Sequence, residues 1–358
     1  MRFSTTLPAA LSFIGTVTAD FWACDIQPGI QIFPADVRLE SVSNQTLTCS
    51  HSFDAPKVLP VGDTSYDWWY FDAVADDGIQ SLVVVFMQKG ENSDFPGPAF
   101  TAYVQITGTL SNGTAFTETI PVDQGIVSTS GFGSNGLWGN SNLSWVGTPD
   151  LSEYQVRLDA ADGTITGLFT LQSIAPPHGP SGSVGPGQSL ELMPGVGWAV
   201  SIPDAVATVD VNVRGRRLNF TGAGYHDKNW GSTLFTPNVG GWYWGHTHLG
   251  PYSLVWLDAL TQVQDEYANG YIALDGEIVR SGPRFHDGVP EGFHITADLG
   301  DAGVLEASVR YTVVAASFTS YGRWAGIING TIASTTTNST VESKTYLGVT
   351  HYEIFNLF

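Results

Sequence analysis

The chain has 358 residues, 34 acidic side chains against 14 basic ones, a formal charge of −20, and 12% aromatic residues beside only 13% charged ones. That charge repels phosphate backbones and anionic lipid heads, so nucleic-acid and membrane-surface roles are disfavoured. The aromatic content argues against disorder and for a large apolar interior, long enough here for two cores and suited to a neutral, flat or greasy ligand.

Residues 1–19 read as a secretory signal peptide: Arg2 supplies charge, residues 7–17 are apolar, and Val17-Thr18-Ala19 has the small-residue spacing of a cleavage site. The stretch is too short to span a bilayer, and no later run reaches about 18 unbroken apolar residues. The mature protein is therefore expected to start near Asp20, in the secretory pathway or outside the cell. Cys24 and Cys49 are the two cysteines of the chain. An oxidising lumen would join them, and closing a loop of about 25 residues would contribute roughly 3.5 kcal/mol; two buried free thiols is the competing reading. Glycosylation sequons stand at Asn44, Asn112, Asn142, Asn219, Asn329 and Asn338.

Helical periodicity is missing, and alternating or apolar runs bounded by Gly, Asn and Asp turns predict hairpins over 79–88, 102–110, 154–158 and 164–171. Before them, 67–72 as a strand shows Trp68, Tyr70 and Asp72 on one side and Asp67, Trp69 and Phe71 on the other. Both faces must be covered, which places it between sheets or between domains. Residues 125–147, rich in Gly, Ser and Asn, predict a long loop anchored by Phe132, Leu137, Trp138 and Trp145, either a lid or a glycosylated surface. The Pro/Gly-rich 176–197 reads as a linker or as an irregular excursion within one domain, with His178 in solvent.

Residues 222–248 form the densest cluster of titrating and stacking groups. As a strand, 242–248 puts Trp242, Trp244, His246 and His248 on one face. With later strands at 253–260, 267–274, 293–298, 304–314, 322–333 and 341–355, the C-terminal part predicts an eight-stranded barrel around one small ligand.

Several chemistries lack their parts. His246 and His248 have metal-site spacing, but no glutamate follows, and no metal is expected. There is no Gly-x-Ser-x-Gly and no nucleotide-binding turn. A carboxylate pair drawn from Asp67, Asp72, Asp227, Asp258 and Glu266, each near an aromatic, would suit a glycosidase. The other course is acid–base work on a neutral ligand, by a protonated histidine or by Asp227 with Lys228, expelling or adding water at an allylic or benzylic carbon.

The stretches Tyr225-His226-Asp227-Lys228-Asn229-Trp230-Gly231, Trp68-Trp69-Tyr70-Phe71-Asp72-Ala73 and Gly241-Trp242-Tyr243-Trp244-Gly245 resemble the signatures of the fungal Diels-Alderase family, relatives of hydroxyneurosporene synthases and kievitone hydratases. The resemblance implies an all-β fold of two domains, an N-terminal β-sandwich over 20–231 and a C-terminal lipocalin-like barrel over 232–358, with the ligand between them and no cofactor. It moves the boundary from the Pro/Gly segment to near Trp230.

The signal, cysteines and sequons are similar to the hetero-Diels-Alderases of tropolone-sesquiterpenoid pathways. That similarity implies dehydration of a hydroxymethyl tropolone or phenol to an o-quinone methide, which adds to a humulene-type alkene. A hydratase acting on the prenyl group of a phenolic phytoalexin and a non-enzymatic carrier are the alternatives. On this reading His246 or His248 is the acid, Asp227 and Lys228 organise the polar end, and Trp68, Tyr70, Trp242 and Trp244 form the walls. Alternation adds Trp256, Tyr271 and Trp324. The Tyr225–Gly231 heptad alternatively locks the domains together, with His226 and Asn229 bonded to backbone.

Overall fold

Alternating apolar positions and glycine-bounded turns give an almost purely β chain. The computed structural model describes residues 24, 26–34, 40–139, 142–180, 182, 184–281, 288–289, 292–335 and 341–358; the proposed signal peptide and Asn338 lie outside them. The strands are, in chain order, β1 (Gly29–Pro34), β2 (Val42–Ser43), β3 (Val58–Leu59), β4 (Tyr66–Ala75), β5 (Ser81–Lys89), β6 (Ala102–Thr109), β7 (Ala115–Pro121), β8 (Gln124–Ser130), β9 (Gly133–Trp138), β10 (Leu143–Gly147), β11 (Glu153–Asp159), β12 (Ile165–Ser173), β13 (Glu191–Met193), β14 (Val196–Val213), β15 (Arg216–Gly231), β16 (Val239–Leu249), β17 (Tyr252–Thr261), β18 (Glu266–Leu274), β19 (Glu277–Ser281), β20 (Gly288–Val289), β21 (Gly292–Asp298), β22 (Val304–Phe318), β23 (Tyr321–Thr335) and β24 (Val341–Asn356).

The first sheet has thirteen strands in the order β1-β8-β9-β10-β11-β12-β14-β15-β4-β5-β6-β7, with β13 paired to β14. It folds over on itself, so the sandwich-like core lies between two flanks of one continuous sheet. Trp145 of β10 packs 5.2 Å from Trp69 of β4 and 4.7 Å from Phe86 of β5, ring centre to ring centre, and Trp138 Nε1 donates to the Met87 carbonyl.

The described residues of 125–147 thus form most of β8, β9 and β10 with a tight turn, in contrast to the loop predicted from their composition. Their glycines make room for rings: a Cβ at Gly125 would meet Trp138 at 2.7 Å, and one at Gly136 would collide with Trp145. The described residues of the Pro/Gly-rich 176–197 form an excursion packed on the first sheet, and His178 is buried rather than solvated. Its backbone exchanges hydrogen bonds with Val200 and its ring stacks on Tyr271 at 4.2 Å.

The second sheet runs β19-β18-β17-β16-β24-β23-β22-β21-β20, nine strands where eight were predicted, the last of them two residues long. It curls until Trp256 of β17 meets Phe293 of β21 at 5.3 Å, enclosing its own apolar core. The chain passes from first to second sheet between β15 and β16. One face of β4, β5, β14 and β15 packs on one face of β16, β17 and β18, forming a third core between the sheets.

Cys24 and Cys49 form a disulfide. Asn112, Asn142, Asn219 and Asn329 are exposed and Asn44 is half-buried. No described helix is long and apolar enough to cross a membrane.

Candidate active site between the two sheets

Strands β4 and β15 are neighbours, pairing Trp68 with Asn229, Tyr70 with Asp227 and Asp72 with Tyr225. Directly paired residues project to the same side of a sheet. Trp68, Tyr70, Asp72, Tyr225, Asp227 and Asn229 therefore face the second sheet, while Trp69, Phe71, His226, Lys228 and Trp230 face the folded-over core. Opposite them β16 presents Trp242 and Trp244. The two faces leave a cavity of about 520 Å³. Its walls also take Val85, Met87, Phe95 and Tyr103 from the first sheet side, and Leu257, Phe318, Tyr321, Arg323, Glu353 and Phe355 from the second.

Asp227 is the cavity's distinctive group. Its Oδ2 accepts from Tyr225 Oη at 2.7 Å and from Trp198 Nε1 at 2.8 Å, and Trp244 Nε1 in turn donates to Tyr225 Oη at 3.4 Å. Burial pushes its carboxyl up to about 7; the two hydrogen bonds pull the other way, and Glu353 nearby adds to the rise. A carboxylic acid in an apolar wall is thus held well above the ordinary carboxylate range, the direction that suits a general acid or base.

Across the cavity stands a second polar group. Glu353 Oε2 accepts from Tyr321 Oη at 2.5 Å and from Arg323 Nη2 at 3.1 Å, and its Oε1 accepts from Trp242 Nε1 at 2.9 Å. Arg323 Nη1 donates to Thr107 Oγ1 of the first sheet at 3.1 Å, tying the sheets together. Burial opposes the guanidinium charge, but the Glu353 carboxylate bonded to it favours it, and Arg323 stays protonated.

Of the residues singled out from sequence, the structure brings Trp68, Tyr70, Asp227, Trp242 and Trp244 to this cavity. His246 lies behind its wall, fully buried, with Nε2 donating to Asp72 Oδ1 at 2.8 Å and its ring stacked on Tyr225 at 4.8 Å. His351 approaches the other oxygen of Asp72 at 3.1 Å. Asp72, His246 and His351 offer ligand atoms within 4.8 Å of one another, a donor set that could hold a metal ion, although the nitrogens facing Asp72 are engaged by its carboxylate. His248 is half-exposed away from the cavity, 2.8 Å from Asp204 Oδ2.

The structure separates the other candidates from the cavity. Lys228 is bonded to Asp67 in the folded-over core, its Nζ 4.3 Å from the Trp69 ring centre. Trp256 and Trp324 belong to the core enclosed by the second sheet. Tyr271 is buried, donating to the Pro176 carbonyl at 2.9 Å. His226 stacks on Phe71 at 3.9 Å with Nδ1 donating to the Tyr70 carbonyl; Asn229, by contrast, lines the cavity while its side-chain amide donates to the Gly197 carbonyl. Arg323 and Glu353 were not singled out from sequence. The available signal was a charged residue inside an aromatic strand of a chain with only 14 basic residues.

Two curled β-sheets closing on an aromatic cavity with a buried acid define a lipocalin-like fold with a pocket of small-molecule size between its sheets. The Diels-Alderase-like family profile matches residues 28–286, and the chain belongs to that family.

It is 43% identical over 237 residues to quinolone epoxide rearrangement protein penF of Penicillium thymicola, covering 63% of this chain and 64% of that one. With quinolone epoxide rearrangement protein asqO of Emericella nidulans it shares 37% over 256 residues, 70% of this chain and 68% of the relative. With Diels-Alderase pyiF of Pyricularia grisea it shares 25% over 236 residues, 64% and 55% of the two chains. The matches thus span between about half and two thirds of the curated relatives' lengths. The crystal structure of CghA superposes with a TM-score of 0.71 at 18% identity, covering 92% of this chain and 99% of that one, a likeness of fold.

Proposed function

We propose that this protein is an enzyme of the pericyclase or isomerase kind acting on a small neutral secondary metabolite, and that its reaction is the acid-assisted rearrangement of an epoxide on a flat heteroaromatic such as a quinolone. The observation that carries this reading is the Asp227 carboxyl, pushed up to about 7 in the wall of an aromatic cavity. The two relatives named for quinolone epoxide rearrangement support the substrate class.

The chemistry is an isomerisation, so it needs no co-reactant and no cofactor. Neutral Asp227 lends its proton to the epoxide oxygen as one carbon–oxygen bond breaks. The cationic carbon is shared into the heteroaromatic ring and faces the π-clouds of Trp68, Trp242 and Trp244. A carbon–carbon or carbon–hydrogen bond then migrates, and a proton lost from the rearranged skeleton returns to the carboxylate. Proton transfer of this kind contributes about 10²–10⁴ in rate.

A second reading is the hetero-Diels-Alder addition of a tropolone or phenol quinone methide to a humulene-type alkene. The relative named as a Diels-Alderase supports it, and Asp227 would there protonate a leaving hydroxyl. Incubating the protein with a quinolone epoxide, with a hydroxymethyl tropolone plus humulene, and with a prenylated phenol separates the readings by product. Isomer from the first alone supports rearrangement, a cycloadduct supports the second reading, hydration supports a hydratase, and binding without product leaves a carrier. Passage through the secretory pathway remains part of the proposal, supported by the Cys24–Cys49 disulfide.

A further inference from the structure

The Arg323–Glu353 pair takes no part in the proton transfer just described. An ion pair buried in an apolar wall does not stabilise a fold better than well-packed hydrophobic residues of the same volume. Its place in the cavity therefore points to a ligand.

The inventory of its hydrogen bonds shows what kind. A guanidinium carries five N–H groups. Nε and Nη2 of Arg323 give one each to Glu353 Oε2, and Nη1 gives one to Thr107 Oγ1. Two donors are left without a partner among the described residues. Glu353 Oε2 is crowded by Tyr321 and Arg323, whereas among the described residues Oε1 takes only the Trp242 indole. Arg323 and Glu353 sit side by side on paired strands and both line the cavity.

We propose that Arg323 and Glu353 read one edge of the substrate: a carbonyl oxygen accepting from Arg323, with an adjacent N–H or O–H donating to Glu353 Oε1. A cis-amide such as the lactam of a 2-quinolone has this edge, and so does the neighbouring ketone and hydroxyl of a tropolone. The inference rests on the reading of the cavity as the substrate site, and it supplies what orients a flat molecule toward Asp227. Desolvated and charge-assisted on both sides, the paired bonds discriminate strongly against any ligand that lacks the donor, because the buried carboxylate is then left short of a partner.

The test measures binding without turnover, by titration calorimetry of the full-length protein with unreactive probes. The first pair is 2-quinolone and N-methyl-2-quinolone; the second is tropolone and its methyl ether. In at least one pair the unmethylated member is expected to bind roughly tenfold or more tightly, and that pair names the source of the edge. Glu353→Gln is expected to shrink the contrast below about threefold, and Arg323→Gln to weaken both members together. The wild-type contrast needs no variant to fold. Equal affinities within both pairs, or no binding of any probe, would overturn the assignment. A protein that produces no isomer from the epoxide yet shows the methylation contrast would refute the proposed reaction and leave this recognition standing.

Discussion

Asp227 and Lys228 are adjacent in the chain and face opposite ways. The carboxyl of Asp227 lines the cavity between the sheets, while Nζ of Lys228 is bonded to Asp67 on the other side of β15, between the rings of Trp69 and Trp230. Two charges that sequence suggests as a pair thus serve different ends: one meets the ligand, and the other holds together the fold behind it.

Removing Lys228 should therefore damage stability. Among the described residues it would leave buried Asp67 with only the amides of Lys57 and Val58 to satisfy it. Breaking one side of a buried ion pair costs about 3–5 kcal/mol, so Lys228→Ala should lower Tm by roughly ten degrees. Below its own melting transition the variant should still bind a flat aromatic ligand. Thermal denaturation followed by ligand titration at low temperature checks both halves; an unchanged Tm with lost binding would place Lys228 at the site after all.

Asp227→Asn should do the opposite. The proton donor is lost, and turnover should fall by about 10²–10⁴. For stability the sign is set by the raised carboxyl, which ordinarily titrates at 3.8 and here at about 7. Between those values the folded state holds the proton more tightly than the unfolded chain. Its stability accordingly declines as pH rises through that window, and the full penalty is present above 7. The asparagine variant escapes the penalty, so at pH 8 it should melt no lower than wild type. The wild-type rate in turn should fall as pH rises through about 7, as the acid loses its proton, and a pH–rate profile rising there instead would assign Asp227 the role of base.

How much of this was legible beforehand follows from what alternation can and cannot settle. It sorted Trp68 and Tyr70 from Trp69 correctly, and the same rule separates Asp227 from Lys228. It says nothing of register. On β16 and β17, Trp244 pairs with Leu257 and Gly245 with Trp256. Trp244 and Leu257 consequently face the cavity, while the bare backbone of Gly245 accommodates the Trp256 ring on the other side. On β23 and β24 the same logic puts Arg323 with Glu353 on one face and Trp324 with Tyr352 on the other. A strand's two faces are visible in sequence, but which of them meets another sheet depends on pairings far apart in the chain. Composition misled at 125–147 because glycine in a strand, placed to admit a neighbour's ring, looks like glycine in a loop.

Four tryptophans make that distinction measurable. Trp68 and Trp244 line the cavity, whereas Trp256 and Trp324 fill the core of the second sheet. Trp256→Ala and Trp324→Ala should each cost about 3–5 kcal/mol of stability, with affinity for a flat ligand unchanged in the folded protein. Trp68→Phe and Trp244→Phe keep an aromatic and most of the packing, so they should weaken ligand binding severalfold with a smaller loss of Tm. Paired melting curves and ligand titrations separate the two classes.

The last prediction concerns the contact between sheets far from the cavity. His248 of β16 lies 2.8 Å from Asp204 Oδ2 of β14, and Ser253 Oγ donates to the same oxygen at 2.6 Å. The hydrogen bond to Asp204 and its charge, with Asp76 adding to them, raise the imidazole above its ordinary value of 6.5. A group raised on folding contributes stability that is fully present below the unfolded value and lost as pH climbs through the folded one. The protonated histidine should therefore clasp the second sheet to the first in mildly acidic solution and release part of that hold as pH rises. Because the ring is half-exposed, solvent screens the pair and the effect should be small. His248→Gln should melt below wild type at pH 5.5, and the difference should shrink as the pH is taken above 7. Turnover per folded molecule should be unaffected, since the ring does not reach the cavity. A difference in Tm that stays constant over this pH range would mean that the contact holds the sheets by packing alone.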